Sequence, residues 1–204
     1  FNAGNITTTV GIVDLNATND ITNIGSITGA TQVDVNAGNE LHLKNGLVTG
    51  RTHVIMHAGN NAIFEGTSIT GALVDITSGG NVSMTAGSIN SADGTINITA
   101  NNDISYKGGR IIAENANLTA ENNIVLEDGS LISDNVNLSA TKGELKQILN
   151  ATGAGHEIDA TNLTVKAGRG VSLGSNENKL NNVYLDVSGG GILIGNGNTG
   201  NYAL

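Results

Sequence analysis

Three aspartates recur at equivalent positions of short alternating segments and could support acid–base chemistry. Asp14, Asp34 and Asp75 each follow the first apolar residue of such a segment, so we expect their side chains to face outward from a strand. Enzymes that cleave polysaccharides use two or three converging carboxylates as general acid and base. Ile55 interrupts the series, and no Arg, Lys or His occupies an equivalent position. A solvated acidic edge is therefore the preferred interpretation, with a weak cation site as the alternative.

The four histidines do not have the spacing of a metal site. His53 and His57 share one strand face, but four residues of extended chain separate them by about 13 Å, which is too far to bind one metal ion. His42 and His156 are expected to have structural or solvated roles. The calcium-binding repeat Gly-Gly-x-Gly-x-Asp does not occur in the sequence. We therefore predict no catalytic residue, no metal site and no cofactor.

One column of amides is a candidate binding surface. Asn97, Asn117 and Asn137 follow one another at intervals of 20 residues. If each lies one coil above the last, their side chains stack and could present amide groups to a glycan. A ladder of hydrogen bonds between the stacked amides is the structural alternative, and it is the preferred one.

These side chains are positioned by a repeat that runs through most of the chain. The repeated segment reads apolar-x-apolar-x-small, and such alternation is typical of a strand with one buried face. Its second apolar position provides nine markers that are 20 to 22 residues apart, except for one interval of 27. The markers are Leu15, Val35, Met56, Ile76, Ile98, Leu118, Leu138, Val165 and Val187.

Each coil contains two further short strands. Segments such as Leu41–Leu43 and Ile124–Leu126 predict a second strand, and apolar positions near Val48 and Ile111 predict a third. The whole chain is therefore predicted to be an all-β, right-handed parallel β-helix of about nine coils of 20–22 residues. At about 4.8 Å per coil, the rod would be roughly 43 Å long.

Like residues are predicted to stack on like within this helix. One interior column would be Val13, Val33, Val54, Val74 and Ile96, and another would be Ile21, Leu41, Ala62, Val82, Ile104 and Ile124. A column of small residues, including Ala37, Ala58 and Ala100, follows the first strand, where a large side chain would not fit the corner. Bends such as Gly38-Asn39 come next, because these residue types tolerate left-handed backbone conformations.

We predict one domain over residues 1–204, with regular coils over 1–140, a longer loop over 141–162 and irregular final coils over 163–204. The 27-residue interval favours the loop. The segment Gly143–Asn150 could instead form a coil edge or a short helical turn.

Composition restricts the possible partners. Nine Lys and Arg against eighteen Asp and Glu give a net charge of −9, which opposes binding to nucleic acid and to anionic membranes. The chain has no Cys and so no disulfide or thiolate metal site. Because it begins at Phe1 without a signal-peptide pattern, we expect a processed product or a segment of a longer polypeptide.

The repeat resembles that of the filamentous haemagglutinin-like exoproteins, which are bacterial surface adhesins. The segment Thr31–Leu43 carries the resemblance most closely, and Leu163–Ile194 is similar to their stalk regions. The resemblance implies export through an outer-membrane secretion partner and an extracellular or cell-surface location. Secretion domains of this family carry an Asn-Pro motif, whereas this chain has no Pro, so a stalk or repeat segment is the better match.

The function expected from these observations is a structural or adhesive rod that contacts a host or neighbouring-cell surface, a glycan or matrix. One alternative is a subunit of an extracellular filament that stacks head to tail, because an uncapped solenoid exposes unpaired strand edges. The other is a carbohydrate-active β-helix enzyme, which would show a carboxylate cleft near residues 141–157.

Overall fold

The chain folds as a stack of parallel coils. A computed structural model describes residues 1–149, 155–195, 197 and 201–203, the last three by their backbone only. Within these residues there are 23 strands and no helix, and every strand pair is parallel. The strands form a nine-stranded sheet and a 14-stranded sheet, which we call the narrow and the wide sheet. The nine strands of the narrow sheet mark nine turns of a β-solenoid.

The strands, numbered in chain order, fall into two sheets. The narrow sheet contains β3 (Ile21–Ile24), β6 (Leu41–Lys44), β9 (Ala62–Glu65), β12 (Val82–Thr85), β14 (Ile104–Lys107), β16 (Ile124–Glu127), β18 (Glu144–Ile148), β20 (Gly170–Leu173) and β22 (Ile192–Ile194). In the first coils the wide sheet contains the longer strands β2 (Ile12–Ala17), β5 (Gln32–Ala37), β8 (His53–Ala58) and β11 (Leu73–Ser78) and the shorter strands β1 (Ile6–Thr7), β4 (Ile27–Gly29), β7 (Leu47–Gly50) and β10 (Ser68–Thr70). In the later coils the two merge into β13 (Ser88–Ala100), β15 (Arg110–Ala120), β17 (Ser130–Ala140), β19 (Glu157–Ala167) and β21 (Lys179–Val187), followed by β23 (Asn201–Ala203).

The sequence repeat is also the pairing register. Val13 pairs with Val33, Val33 with Val54 and Val54 with Val74, so the predicted interior column is confirmed. The second predicted column is confirmed in the same way along the narrow sheet. Stacking identical positions buries them almost completely, and each buried Val, Leu or Ile contributes about 1.5–3 kcal/mol.

The interior is filled by a column of larger side chains from the narrow sheet. Leu43, Phe64, Met84, Tyr106 and Leu126 follow one another in register, and each is at most 2% exposed. Most of the small residues at the corner after the first strand are buried, among them Ala37, Ala58 and Ala100.

The corner after the narrow sheet depends on left-handed backbone. Gly108 and Gly109 have φ of +67° and +85° there. A Cβ on Gly109 would lie 2.3 Å from the carbonyl oxygen of Gly87 in the coil below, so only glycine fits. Ala86 occupies the same corner with φ of 58°, which is strained for a residue with a Cβ.

The segment expected to be a loop over 141–162 contains regular structure instead. Strand β18 pairs with β16 and β20, with Leu145 between Ile124 and Val171. Strand β19 begins at Glu157, so extended chain resumes well before residue 162. Gln147 faces the interior in β18 and is 2% exposed. Because this inward residue is polar, the alternation of apolar residues that marks the other strands is broken here. Residues 150–154 lie outside the described part of the chain.

The coils continue beyond residue 163 through β20, β21 and β22. Val171 pairs with Ile192 and Leu163 with Val183, so the register of the early coils is kept. Among the described residues, no helix is long and apolar enough to cross a membrane.

Candidate functional site

The predicted acidic edge lies where the sequence places it. Asp14 pairs with Asp34, and Ile55 lies between Asp34 and Asp75. Each carboxylate accepts a hydrogen bond from an amide, with Asn16 Nδ2 2.6 Å from Asp14 Oδ1 and Gln32 Nε2 2.7 Å from Asp34 Oδ1. These carboxylates are therefore hydrogen-bonded to neighbouring side-chain amides. In the part of the chain that the structure describes, no group of three or more His, Asp or Glu side chains is placed to hold one metal ion.

Three histidines lie at or near the surface and approach neighbouring side chains. The ring nitrogen Nδ1 of His57 is 2.9 Å from Thr77 Oγ1, and that of His53 is 3.1 Å from Thr52 Oγ1. His42 pairs with Ile63, as the repeat predicts, and its Nε2 lies 3.4 Å from Glu65 Oε1. The hydrogen bond from Lys44 to the same carboxylate lowers the pKa of Glu65.

The fourth histidine, for which a structural or solvated role was expected, is fully buried. His156 packs edge-on against Tyr106, with 5.3 Å between the ring centroids, and its Nδ1 donates to the backbone carbonyl of Asp128. Burial lowers the pKa of His156 to about 4, although the bond to Asp128 opposes this shift. Burial also raises the pKa of Tyr106. His156 is therefore neutral at pH 7.

His156 belongs to a buried polar cluster with Gln147, Ser175 and Asn178. Gln147 Nε2 donates to the His156 carbonyl at 2.6 Å and to Asn178 Oδ1 at 2.8 Å, while its Oε1 accepts from the Ser175 N–H at 3.0 Å. Asn178 Oδ1 also accepts from the Ile158 N–H at 3.0 Å. The cluster thus ties three coils together around the segment before β19, and a glutamine at an inward position was the one sequence signal for it.

A surface cavity of about 320 Å³ lies at the bend of the merged strands. Asp93, Glu114, Asp134 and Asp159 line it together with Ile112 and Ile132. The register shift between Ser91 and Thr95 in β13 places Asp93 at this bend. For a carbohydrate-active enzyme, a carboxylate cleft was expected near residues 141–157. The acidic cavity is the feature that resembles it most, but most of its residues lie on earlier coils.

The predicted amide column forms a hydrogen-bonded ladder. Asn117 Nδ2 donates to Asn97 Oδ1, and Asn137 Nδ2 donates to Asn117 Oδ1, each at 2.8 Å. Asn97 donates in turn to Asp75 Oδ1. In this arrangement a bridging amide keeps one N–H and one oxygen lone pair for a further partner.

A second ladder runs beside the first and was not predicted. Asn135 Nδ2 donates to Asn115 Oδ1 at 3.0 Å, Asn162 to Asn135 at 2.9 Å, and Asn182 to Asn162 at 3.0 Å. Each of these residues lies two positions before the corresponding residue of the first column, on the same sheet face. The repeated Asn-x-Asn of β15 and β17 is the signal that would have revealed it.

We call the outward surface of residues 95–99, 115–119, 135–139, 162–166 and 182–186 the ladder face. Its first three coils present only uncharged polar side chains: Thr95, Asn97, Thr99, Asn115, Asn117, Thr119, Asn135, Asn137 and Ser139. Its charged outward residues are Lys166 and Asp186 at one edge, 3.8 Å apart. Tyr184 continues the first column through Thr164 and is 53% exposed.

Asn and Asp side chains at the corner before the narrow sheet form hydrogen bonds with the backbone of the next coil. Asn81 Oδ1 accepts from the Asp103 N–H at 3.1 Å, and Asp103 Oδ1 accepts from the Asn123 N–H at 2.9 Å. These side chains accept hydrogen bonds from backbone N–H groups of the next coil, at a corner where the backbone pairing between strands is interrupted. These side chains also bond to one another, as in the bond from Asn102 Nδ2 to Asn81 Oδ1 at 2.8 Å, but unlike those of the ladder face they bond to the backbone of the next coil as well.

Comparison with known proteins finds a similarity in the middle of the chain. The chain has no significant match among curated proteins or among solved structures. Residues 83–130, which include strands β13 to β16, match the family model described as hemagglutinin repeat. Proteins with filamentous haemagglutinin repeats are generally secreted or surface proteins. Residues 83–130 of this chain are therefore similar to the repeats of filamentous haemagglutinin-like proteins.

Proposed function

We propose that this chain is an adhesive stalk segment of a bacterial surface-displayed or secreted exoprotein. The observation that carries the proposal is the continuous register from β1 to β23, in which each coil pairs with the next. Nine coils at about 4.8 Å give a rod roughly 43 Å long. The hemagglutinin repeat supports the same function, because it lies in the middle of this stack.

Side-chain contacts between coils support the stalk role. Lys107 Nζ lies 2.8 Å from Glu127 Oε1, and Lys179 Nζ lies 2.6 Å from Glu157 Oε1, each linking neighbouring coils. Because both pairs are exposed to solvent, each makes only a small contribution to stability. Together with the amide ladders they favour one register, which is what a straight stalk requires.

The partners that fit this function lie outside the cell. They are an outer-membrane secretion partner during export, and a host or neighbouring-cell surface, a glycan or matrix afterwards. Nucleic acid does not fit, because a net charge of −9 repels phosphate backbones.

The test is to locate the chain on intact cells of its source and to image the protein that carries it. Antibodies raised against the 204-residue chain should label unpermeabilised cells, and electron microscopy should show rods at least about 43 Å long. Beads coated with the chain should adhere to cells or matrix more than beads coated with serum albumin. Labelling only after permeabilisation, together with no adhesion of the beads, would contradict the proposal.

The cavity at Asp93, Glu114, Asp134 and Asp159 favours a carbohydrate-active enzyme as the second candidate. Release of reducing sugars from a polysaccharide by the purified chain would establish it. Rods of many different lengths formed by the purified chain alone would instead favour the head-to-tail filament.

A further inference from the structure

The ladder face differs in charge from the rest of the molecule. The chain carries a net charge of −9, yet in residues 95–99, 115–119 and 135–139 the outward positions are all Asn, Thr or Ser. Lys166 is paired with Asp186 at the edge. Apart from the paired Lys166 and Asp186, this surface has no carboxylate to hold a cationic partner and no cation to hold an anionic one.

The amides of this face are held in place before any partner arrives. Asn135 and Asn162 are each bonded to the amides above and below at 2.9–3.0 Å, and Asn117 is bonded in the same way at 2.8 Å. Their side-chain conformations are therefore already fixed, so binding costs little further side-chain entropy. Each keeps one donor and one acceptor, which is also what a sugar hydroxyl offers.

The spacing of the ladders suits an extended polymer. Equivalent amides recur every 4.8 Å or so along the rod, and the two ladders are about 6.7 Å apart because two residues of strand separate them. Two coils thus span about 9.6 Å, roughly the length of a disaccharide unit in an extended polysaccharide. Beyond Asn137 and Thr164, the exposed ring of Tyr184 lies in the same column and provides a flat apolar surface for a sugar ring.

We propose that the ladder face binds an uncharged, extended polysaccharide that lies along the rod, with the two amide ladders bonding its hydroxyls and Tyr184 stacking on one ring. This proposal rests on the proposed adhesive function and names its ligand class. A protein partner fits less well, because stable protein interfaces need an apolar centre. Tyr184 alone is too small to form such a centre on this surface.

The test is depletion of the purified 204-residue chain from solution by cellulose or chitin particles, with heparin beads as the anionic comparison. We expect binding to at least one uncharged polysaccharide and none to heparin. Tyr184→Ala should weaken binding about tenfold through loss of ring stacking. Asn137→Glu should also weaken it, because a carboxylate cannot donate as the amide does.

Two matched variants lie on the narrow sheet. Leu193→Ala removes an apolar side chain that is 55% exposed, and Ser105→Glu adds a carboxylate at an exposed position, so both should bind like the wild type. Thermal unfolding of every variant checks that the fold is kept. No binding to either uncharged polysaccharide, binding to heparin alone, or equal binding by Tyr184→Ala and the wild type would overturn the proposal. Surface labelling would be unaffected by that result, so the stalk function would stand.

Discussion

The buried His156 has a specific structural function. Its Nδ1–H meets the carbonyl of Asp128 at a corner where Asp128 has left-handed backbone with φ of 51°. Its ring also fills the space beside Tyr106. Neither His156 Nε2 nor the Tyr106 hydroxyl has a hydrogen-bond partner among the described residues, so this corner is stable only while the imidazole is neutral.

This requirement makes stability depend on pH. The pKa of His156 is about 4 in the folded chain and ordinarily about 6.5, so the unfolded chain takes up the proton first as pH falls. The contribution is complete above pH 6.5 and is lost between pH 6.5 and pH 4. Relative to His156→Gln, the wild type should lose up to about 3 kcal/mol of unfolding free energy over that range. Urea unfolding at several pH values measures it, and parallel pH profiles for the two proteins would contradict it.

At the scale of the strand, the alternating pattern predicted most of what forms. The columns of Val33 and Leu41 lie where the repeat places them, because each position is buried by its own copies above and below. The merging of strands in β13 was not predictable, since apolar alternation does not show whether a corner breaks a strand. For β18 the sequence favoured a loop over the alternative of a coil edge, because Gln147 occupies an inward position that other coils fill with Leu126 or Tyr106.

The candidate site was predicted only in part for related reasons. Asn97 and Asn117 were visible as a column because their spacing is 20 residues. The second ladder was present in the same Asn-x-Asn segments, but its function depends on which face each residue occupies. The acidic cavity depends on the register shift after Ser91, and no residue pattern gives the position of such a shift.

The turn after the narrow sheet provides a matched pair of substitutions. Gly109→Ala should lower the free energy of unfolding by about 2–4 kcal/mol, because its Cβ would lie 2.3 Å from the Gly87 carbonyl oxygen. Ala86→Gly should raise it by up to about 1 kcal/mol, because it removes the strain of a left-handed alanine. Chemical denaturation measures both. Two changes of the same sign would show that corner strain does not control stability here.

For the whole molecule, each coil is a repeating energetic unit. Every coil contacts mainly the coils above and below, so stability is close to a sum over coils and their interfaces. A polypeptide of this kind tolerates the loss of a complete coil, provided that the register of the remaining coils is kept.

Deleting residues 116–135 tests this idea, because Asn115 and Asn135 are register partners and the chain rejoins in phase. The shortened protein should fold, with a denaturant m-value lower by roughly a tenth because less surface is exposed on unfolding. Deleting residues 116–125 removes half a coil and should prevent cooperative folding. Circular dichroism and urea titration distinguish the two, and similar behaviour of both deletions would argue against independent coils.

The strands lie across the long axis of the molecule, and this has a mechanical consequence. When the two ends of the chain are pulled apart, the force acts on the hydrogen bonds of one terminal coil at a time. These bonds therefore break one after another rather than all together. Each coil that opens releases about 20 residues, or roughly 66–72 Å of chain, in exchange for about 4.8 Å of rod. Under tension this segment therefore lengthens in steps, one coil at a time. Each step limits the force that is transmitted along the segment.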